Sequence, residues 1–152
     1  MVTDLQRVIL DNIAHINESE AFSPPIPRET VMAFCEIESS FNPYAYRFEQ
    51  KLGEASWGLM QILQSTAKDR GFDDEPTALY NIDSNLLYGM RQLSWIRDFI
   101  RSHAPNLPFD DFCLAAAYNA GVGNVIHGIR PTGYVAAFTK ARQKWSEELA
   151  GA

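Results

Sequence analysis

The sequence predicts a mostly α protein, a single domain over 1–152 of about six to seven helices, with a small irregular or β-hairpin segment near 43–57. Three observations predict it. Apolar residues recur at helical spacing through most of the chain. Length and composition suit one packed core: 152 residues, 46% hydrophobic, 12% aromatic. One long stretch is irregular, the mixed run PYAYRFEQKLGEASW from Pro43 to Trp57.

The elements follow in order. Leu5, Val8, Ile9, Ile13 and Ile16 mark a first helix, opened by Thr3 with Gln6 three residues on, the pattern of a capping box. SPPIP breaks the chain, and a second helix runs from Arg28 to about Ser39, where Asn42-Pro43 ends it. The 43–57 segment holds a short hairpin or a long loop, and a loop that long within a compact domain is usually functional or mobile. A short helix is expected over Gln64 to Arg70, with Gly71 as its C-terminal cap. Asp83 reads as the N-cap of a long helix whose stripe is Leu86, Met90, Leu93, Ile96 and Ile100. Asp110 or Asp111 caps the next, through FCLAAAYNA to Gly121. The last runs from about Tyr134 to Leu149.

Several function classes are disfavoured. The formal charge of -6 argues against a nucleic-acid binder, which needs a basic face. An anionic substrate would need a local site rather than long-range steering. No apolar run approaches the roughly 18–20 residues of a membrane span. The N-terminal stretch lacks the basic region, continuous apolar core and small-residue cleavage site of a secretory signal. Cys35 and Cys113 lie among apolar neighbours and read as two small buried hydrophobes, not a disulfide framework. His15, His103 and His127 have no partner at metal-ligand spacing, so neither metal nor cofactor is expected.

Chemistry concentrates in the second helix, at CEIESSF. With about 100° per residue, Val31, Phe34 and Cys35 fall within about 60° of Glu38. Glu36 lies at about 160°, on the opposite face, and reads as the ordinary solvent-facing acid. Glu38 is thus centred on an apolar stripe. Burial disfavours its charged form, and a carboxyl held protonated near neutral pH serves as a general acid. The competing reading is a buried Glu satisfied by an Arg or by a backbone cap at the helix end. Two further stretches add weight: SWGLMQI, Ser56 to Ile62, and AAAYNAGVGNV, Ala115 to Val125. Tyr, Asn and Gln side chains can hydrogen-bond sugar hydroxyls and acetamido groups.

In this order IESSFNPYA, GLMQI with TA four residues on, and AAYNAG resemble the soluble lytic transglycosylase domain of the lysozyme-like superfamily. The resemblance runs from about Val31 to Tyr134, within a core of 28–135. It implies an α+β lysozyme-like fold, peptidoglycan glycan strands as partner, and Glu38 as catalytic acid. It also implies Met60 and Gln61 in the sugar groove, Tyr118 and Asn119 beside the Glu and the saccharide, and Tyr134 closing the site. The implied reaction cleaves the β-1,4 bond between N-acetylmuramic acid and N-acetylglucosamine and leaves a 1,6-anhydromuramic end.

Three departures stand out. The chain from Glu38 to Gln61 is several residues longer than the compact family pattern. Its extra length lies in YRFEQKLGEAS, which makes Ser56 the candidate for the family's Glu-binding serine. The acid that often precedes the late Tyr is missing from RPTGY, and Gln64 replaces a frequent Pro. Two rival readings remain: a lysozyme-type muramidase, with Glu49 or Glu54 holding water, and a non-catalytic glycan-binding or structural module. Without a signal segment, the expectation is a phage-encoded or virion-associated enzyme, a part of a secretion apparatus, or export by another route.

Overall fold

The fold is described from a computed structural model, over residues 1–151. It is mostly α with one small sheet, as the lysozyme-like resemblance implied. The order is α1 (Asp4–Glu20), α2 (Arg28–Ser39), β1 (Tyr46–Glu49), β2 (Glu54–Trp57), β3 (Ile62–Leu63) and α3 (Gln64–Asp69). A 3-10 turn at Pro76–Tyr80 leads to α4 (Ile82–His103), α5 (Asp111–Ala120), α6 (Val122–Ile126) and α7 (Thr132–Ala150).

Local chemistry sets the ends. Thr3 Oγ1 accepts from Gln6 N–H at 3.2 Å and Gln6 Oε1 accepts from Thr3 N–H at 2.9 Å, closing the capping box of α1. Asp110, not Asp111, caps α5 by accepting from Cys113 N–H at 2.8 Å. Asp83 is not an N-cap. It lies in the first turn of α4, where a negative charge faces the positive helix end, and Asn81 holds the cap position. α2 stops before Asn42-Pro43, because Ser40 and Phe41 turn left-handed at φ 50° and 62°. Their N–H groups return to Glu36 O and Cys35 O, which satisfies two of the last carbonyls of the helix.

The 43–57 segment is a hairpin. β1 and β2 pair antiparallel with Tyr46 opposite Trp57, Arg47 opposite Ser56, Phe48 opposite Ala55 and Glu49 opposite Glu54. β3 adds a short third strand on β2. Because side chains alternate along a strand, Arg47, Glu49 and Ser56 share one face of the hairpin, and Tyr46, Phe48 and Trp57 the other.

α2 is the central helix. Thr30 to Cys35 are buried without a break, so its middle is enclosed on all sides and only its two ends reach a surface. It packs mainly on α7 and also on α1. The main core joins Phe34, Met32, Leu86, Met90, Leu93, Ile96 and Phe138, and the expected stripe of α4 is wholly inside it. A smaller cluster of Ile62, Ala67, Phe72 and Leu79 seats the sheet against α3 and the 3-10 turn. Glu36 departs from its expected free exposure. It is half-buried and pairs with Lys144 on α7, with Trp145 Nε1 at 3.3 Å. Both cysteines are free and buried.

Candidate active site

A polar cleft of about 450 Å³ opens where the last turn of α2 meets the sheet. Its helical wall carries Glu38, Tyr118, Asn119 and Tyr134. Its sheet wall carries Arg47, Glu49, Ser56 and Leu63, and Gln61 joins the two. A more apolar depression of about 480 Å³ lies between Leu107 and Ala136, but its acid, Asp110, is the N-cap of α5. Among the described residues no group of three or more His, Cys, Asp or Glu side chains is placed to hold a metal ion.

Glu38 is half-buried, and Tyr134 Oη donates to its Oε1 at 2.6 Å. Burial is the largest influence on this carboxyl and pushes its pKa above the ordinary carboxylate value. The Tyr134 hydrogen bond opposes that rise, the charge of Glu49 adds to it, and Arg47 reduces it. Burial and the nearby Glu38 charge push the phenols of Tyr118 and Tyr134 upward, so both remain hydroxyl donors. Burial pushes the Cys35 thiol upward too, which leaves it an inert core group.

The helix end that presents Glu38 is clipped to the loop beneath it. Ser39 Oγ lies 3.0 Å from Cys35 O and 2.7 Å from Leu59 O. From the other side, Tyr118 Oη donates to Met60 O at 2.6 Å, its ring 4.8 Å from that of Phe34. Gln61 is left-handed at φ 48°, a conformation costly for a non-glycine residue and common where a site dictates the backbone. Its Nε2 donates to Gly58 O at 3.0 Å.

Asn85 on α4 anchors the same loop and was not singled out from the sequence. Its Oδ1 accepts from Met60 N–H at 2.8 Å, and its Nδ2 donates to Trp57 O at 2.7 Å and Leu79 O at 2.9 Å. It is 1% exposed, so these bonds have no competition from water. One signal was available: an amide one turn before Gly89 and two before Leu93, on the buried face of an otherwise apolar stripe.

Two expectations are corrected. Met60 does not line the groove with its side chain, which is fully buried against Gly89; its carbonyl accepts from Tyr118, which does line it. Ser56 does not bond Glu38. Its Oγ donates to Glu49 Oε1 at 3.1 Å, on the hairpin face that its pairing opposite Arg47 gives it. Gln61, Tyr118, Asn119 and Tyr134 do lie on the cleft with Glu38, Asn119 the most exposed of them. The two acids weighed as water holders separate. Glu49 faces the cleft, whereas Glu54 accepts from Ser65 N–H at 2.9 Å and Ser65 Oγ at 2.6 Å, tying down the start of α3.

Residues 16–139 match the family model described as Transglycosylase SLT domain. Similar proteins include Membrane-bound lytic murein transglycosylase C of Actinobacillus pleuropneumoniae serotype 5b (strain L20), 33% identical over 103 residues, 63% of this chain and 27% of that protein. The protein of the same name from Photorhabdus laumondii subsp. laumondii is 32% identical over 108 residues, 66% of this chain and 29% of the other. That from Yersinia enterocolitica serotype O:8 is 30% identical over 108 residues, with the same two shares. The chain therefore spans 27–29% of the length of these relatives. Among its described residues no helix is long and apolar enough to cross a membrane.

Proposed function

The chain belongs to the transglycosylase SLT domain family, and from that premise we propose that it is a peptidoglycan lytic transglycosylase with Glu38 as its acid and base. The observation that carries this reading is the setting of Glu38. It is a half-buried carboxyl with a raised pKa, held by Tyr134 at one oxygen, on a polar cleft rich in amide and hydroxyl groups.

The chemistry follows from that setting. Protonated Glu38 gives its proton to the glycosidic oxygen between N-acetylmuramic acid and N-acetylglucosamine, and the bond to the anomeric carbon breaks. The acetamido group of the substrate can stabilise the positive charge that develops there. Glu38, now a carboxylate, takes the proton of the C6 hydroxyl of the same muramic acid, and that oxygen closes the 1,6-anhydro ring. One residue serves in both directions, which departs from the two-carboxylate scheme of most glycosidases. The Tyr134 hydroxyl favours the charged form of Glu38 and so supports the second half of the cycle. Acid-base catalysis supplies roughly 10²–10⁴-fold, and positioning by Gln61, Asn119 and the hairpin wall must supply the rest.

The test is mass spectrometry of the soluble products from purified peptidoglycan. Wild type is expected to release anhydromuropeptides and Glu38→Gln none. Release by the variant at the wild-type rate would remove Glu38 from its role. No product from a folded wild type would favour a non-catalytic glycan-binding module.

A further inference from the structure

The site holds a second carboxylate that the single-acid cycle does not use. Glu49 stands on the sheet wall, on the cleft-facing side of β1, while Glu38 enters from the helical wall. Its placement is built. Ser56 Oγ donates to Glu49 Oε1 at 3.1 Å, and Arg47 Nε lies 3.7 Å from the same oxygen. The Glu49 side chain is 29% exposed against 76% for Arg47, so it is the acid that the hairpin tucks inward. The hairpin tip reinforces this, since Leu52 N–H and Gly53 N–H both return to Glu49 O, at 3.0 and 2.9 Å, and fix the backbone that carries it. A solvated loop acid needs none of these restraints.

Two carboxylates on different walls of one cleft are the arrangement that inverting glycosidases use, one to protonate the leaving oxygen and one to activate water. The cleft volume of about 450 Å³ leaves room for a sugar and a water, whose share of liquid volume is about 30 Å³. We propose that Glu49, oriented by Ser56 and Arg47, is a general base that gives this site a hydrolytic branch. The inference rests on the reading of Glu38 as the acid. Glu38 gives its proton to the leaving glycosidic oxygen as the bond from that oxygen to the anomeric carbon breaks. A water forms the new bond to the same carbon and gives its proton to Glu49. The product is a reducing-end muramic acid, one water heavier than the anhydro end. The longer hairpin thereby acquires a role: it carries the second carboxylate into a cleft that otherwise has one.

The experiment counts both kinds of end by mass after digestion of purified peptidoglycan, for the wild type, E49Q and S56A, with circular dichroism to confirm folding. The wild type is expected to release reducing-end as well as anhydro ends. E49Q is expected to lower the ratio of reducing-end to anhydro products by about 10²-fold, the lower bound for loss of a general base. S56A is expected to lower that ratio several-fold, because Glu49 loses its orienting donor. Anhydro ends alone from the wild type would overturn the hydrolytic branch and leave the transglycosylase reading standing. An equal loss of both products in folded E49Q would also overturn it, since Glu49 would then act on the shared bond-breaking step. If E49Q does not fold, an unchanged ratio in S56A overturns it. No product of either kind from wild type would overturn the transglycosylase reading and this inference together.

Discussion

The phenolic oxygen of Tyr134 lies 2.6 Å from Oε1 of Glu38, across 96 residues of chain, and donates its hydrogen to it. α7 thereby fixes the rotamer of an acid at the end of α2, against which it packs closely. The bond joins the core to the chemistry: Phe138, one turn past Tyr134, is fully buried, its ring 4.7 Å from that of Phe34.

Tyr134→Phe keeps the ring and removes that donor. A hydrogen bond to a charged group contributes about 1.5–3 kcal/mol, so turnover on peptidoglycan is expected to fall roughly 10- to 100-fold. The sign of the accompanying pH effect is fixed. The Tyr134 hydroxyl favours ionised Glu38, so its loss raises the Glu38 pKa further and moves the alkaline limb of the rate profile to higher pH. Muropeptide release measured across pH checks both, and an unmoved limb would mean that the bond does not form in the working enzyme.

Glu38→Gln should abolish turnover yet stabilise the fold at neutral pH. The folded pKa of Glu38 is raised, chiefly by burial. Above the unfolded carboxylate pKa the unfolded chain has lost this proton while the folded one still holds it. The folded state then binds more protons, and stability falls as pH rises through the interval between the two pKa values. Gln carries no such penalty and can still accept from Tyr134. The variant is expected to melt a few degrees higher than wild type at pH 7, with the difference vanishing below about pH 4, where the wild-type acid is protonated in both states. Thermal melts of both proteins at the two pH values decide it.

The sheet wall tunes the same acid with opposed charges. Around Glu38 stand the Tyr134 and Tyr118 phenols, the Cys35 thiol, Glu49 and Arg47. Glu49 raises the Glu38 pKa and Arg47 lowers it. The alkaline limb of activity is therefore expected to move to lower pH in Glu49→Gln and to higher pH in Arg47→Gln. Both shifts should shrink at high salt, since the cleft is open to solvent. Shifts of the same sign in the two variants would show that the hairpin changes position rather than potential.

The helices were legible because their apolar period is carried by core residues. The bounds of α2 at Arg28 and Ser39, the capping box of α1 and the stripe of α4 all follow from local rules. Glu38 was legible for the same reason, as an acid on a buried face. The hairpin was legible only as one of two alternatives, since Tyr46, Arg47 and Phe48 are all exposed and β1 shows no burial alternation to read. Ser56 was assigned to Glu38 by sequence order, but strand register turns its hydroxyl toward Glu49. Met60 was assigned to the groove through its neighbour Gln61. It is a core side chain whose carbonyl accepts from Tyr118, and nothing in a one-dimensional pattern separates a residue's backbone contacts from its side-chain contacts. Asn85 joins segments 25 and 28 residues away in sequence, which only the folded chain brings together.

Asn85 gives the last prediction. Its amide satisfies one buried N–H and two carbonyls, at Met60, Trp57 and Leu79, and so ties the end of β2 and the turn after it to the 3-10 turn. Asn85→Leu keeps the approximate size of the side chain and removes every bond, stranding polar groups that cost about 1–3 kcal/mol each when left buried and unpaired. Some relaxation is expected, so we set the loss at roughly 3 kcal/mol, or about 6–12 °C in melting temperature for a chain of this length. Asn85→Asp is the sharper variant. Its Oδ1 still accepts from Met60 N–H, but an oxygen replaces the Nδ2 donor and faces the Trp57 and Leu79 carbonyls directly. A buried carboxylate against two acceptors is worse than an apolar group, so Asp is expected to destabilise more than Leu at pH 7. That order should narrow at pH 4, where a protonated Asp regains one donor. Activity measured well below both melting points tests the link to function. Because Met60 O receives the Tyr118 hydroxyl, a shifted loop should lower turnover in both variants even while they remain folded. Full activity with lowered stability would confine Asn85 to the fold.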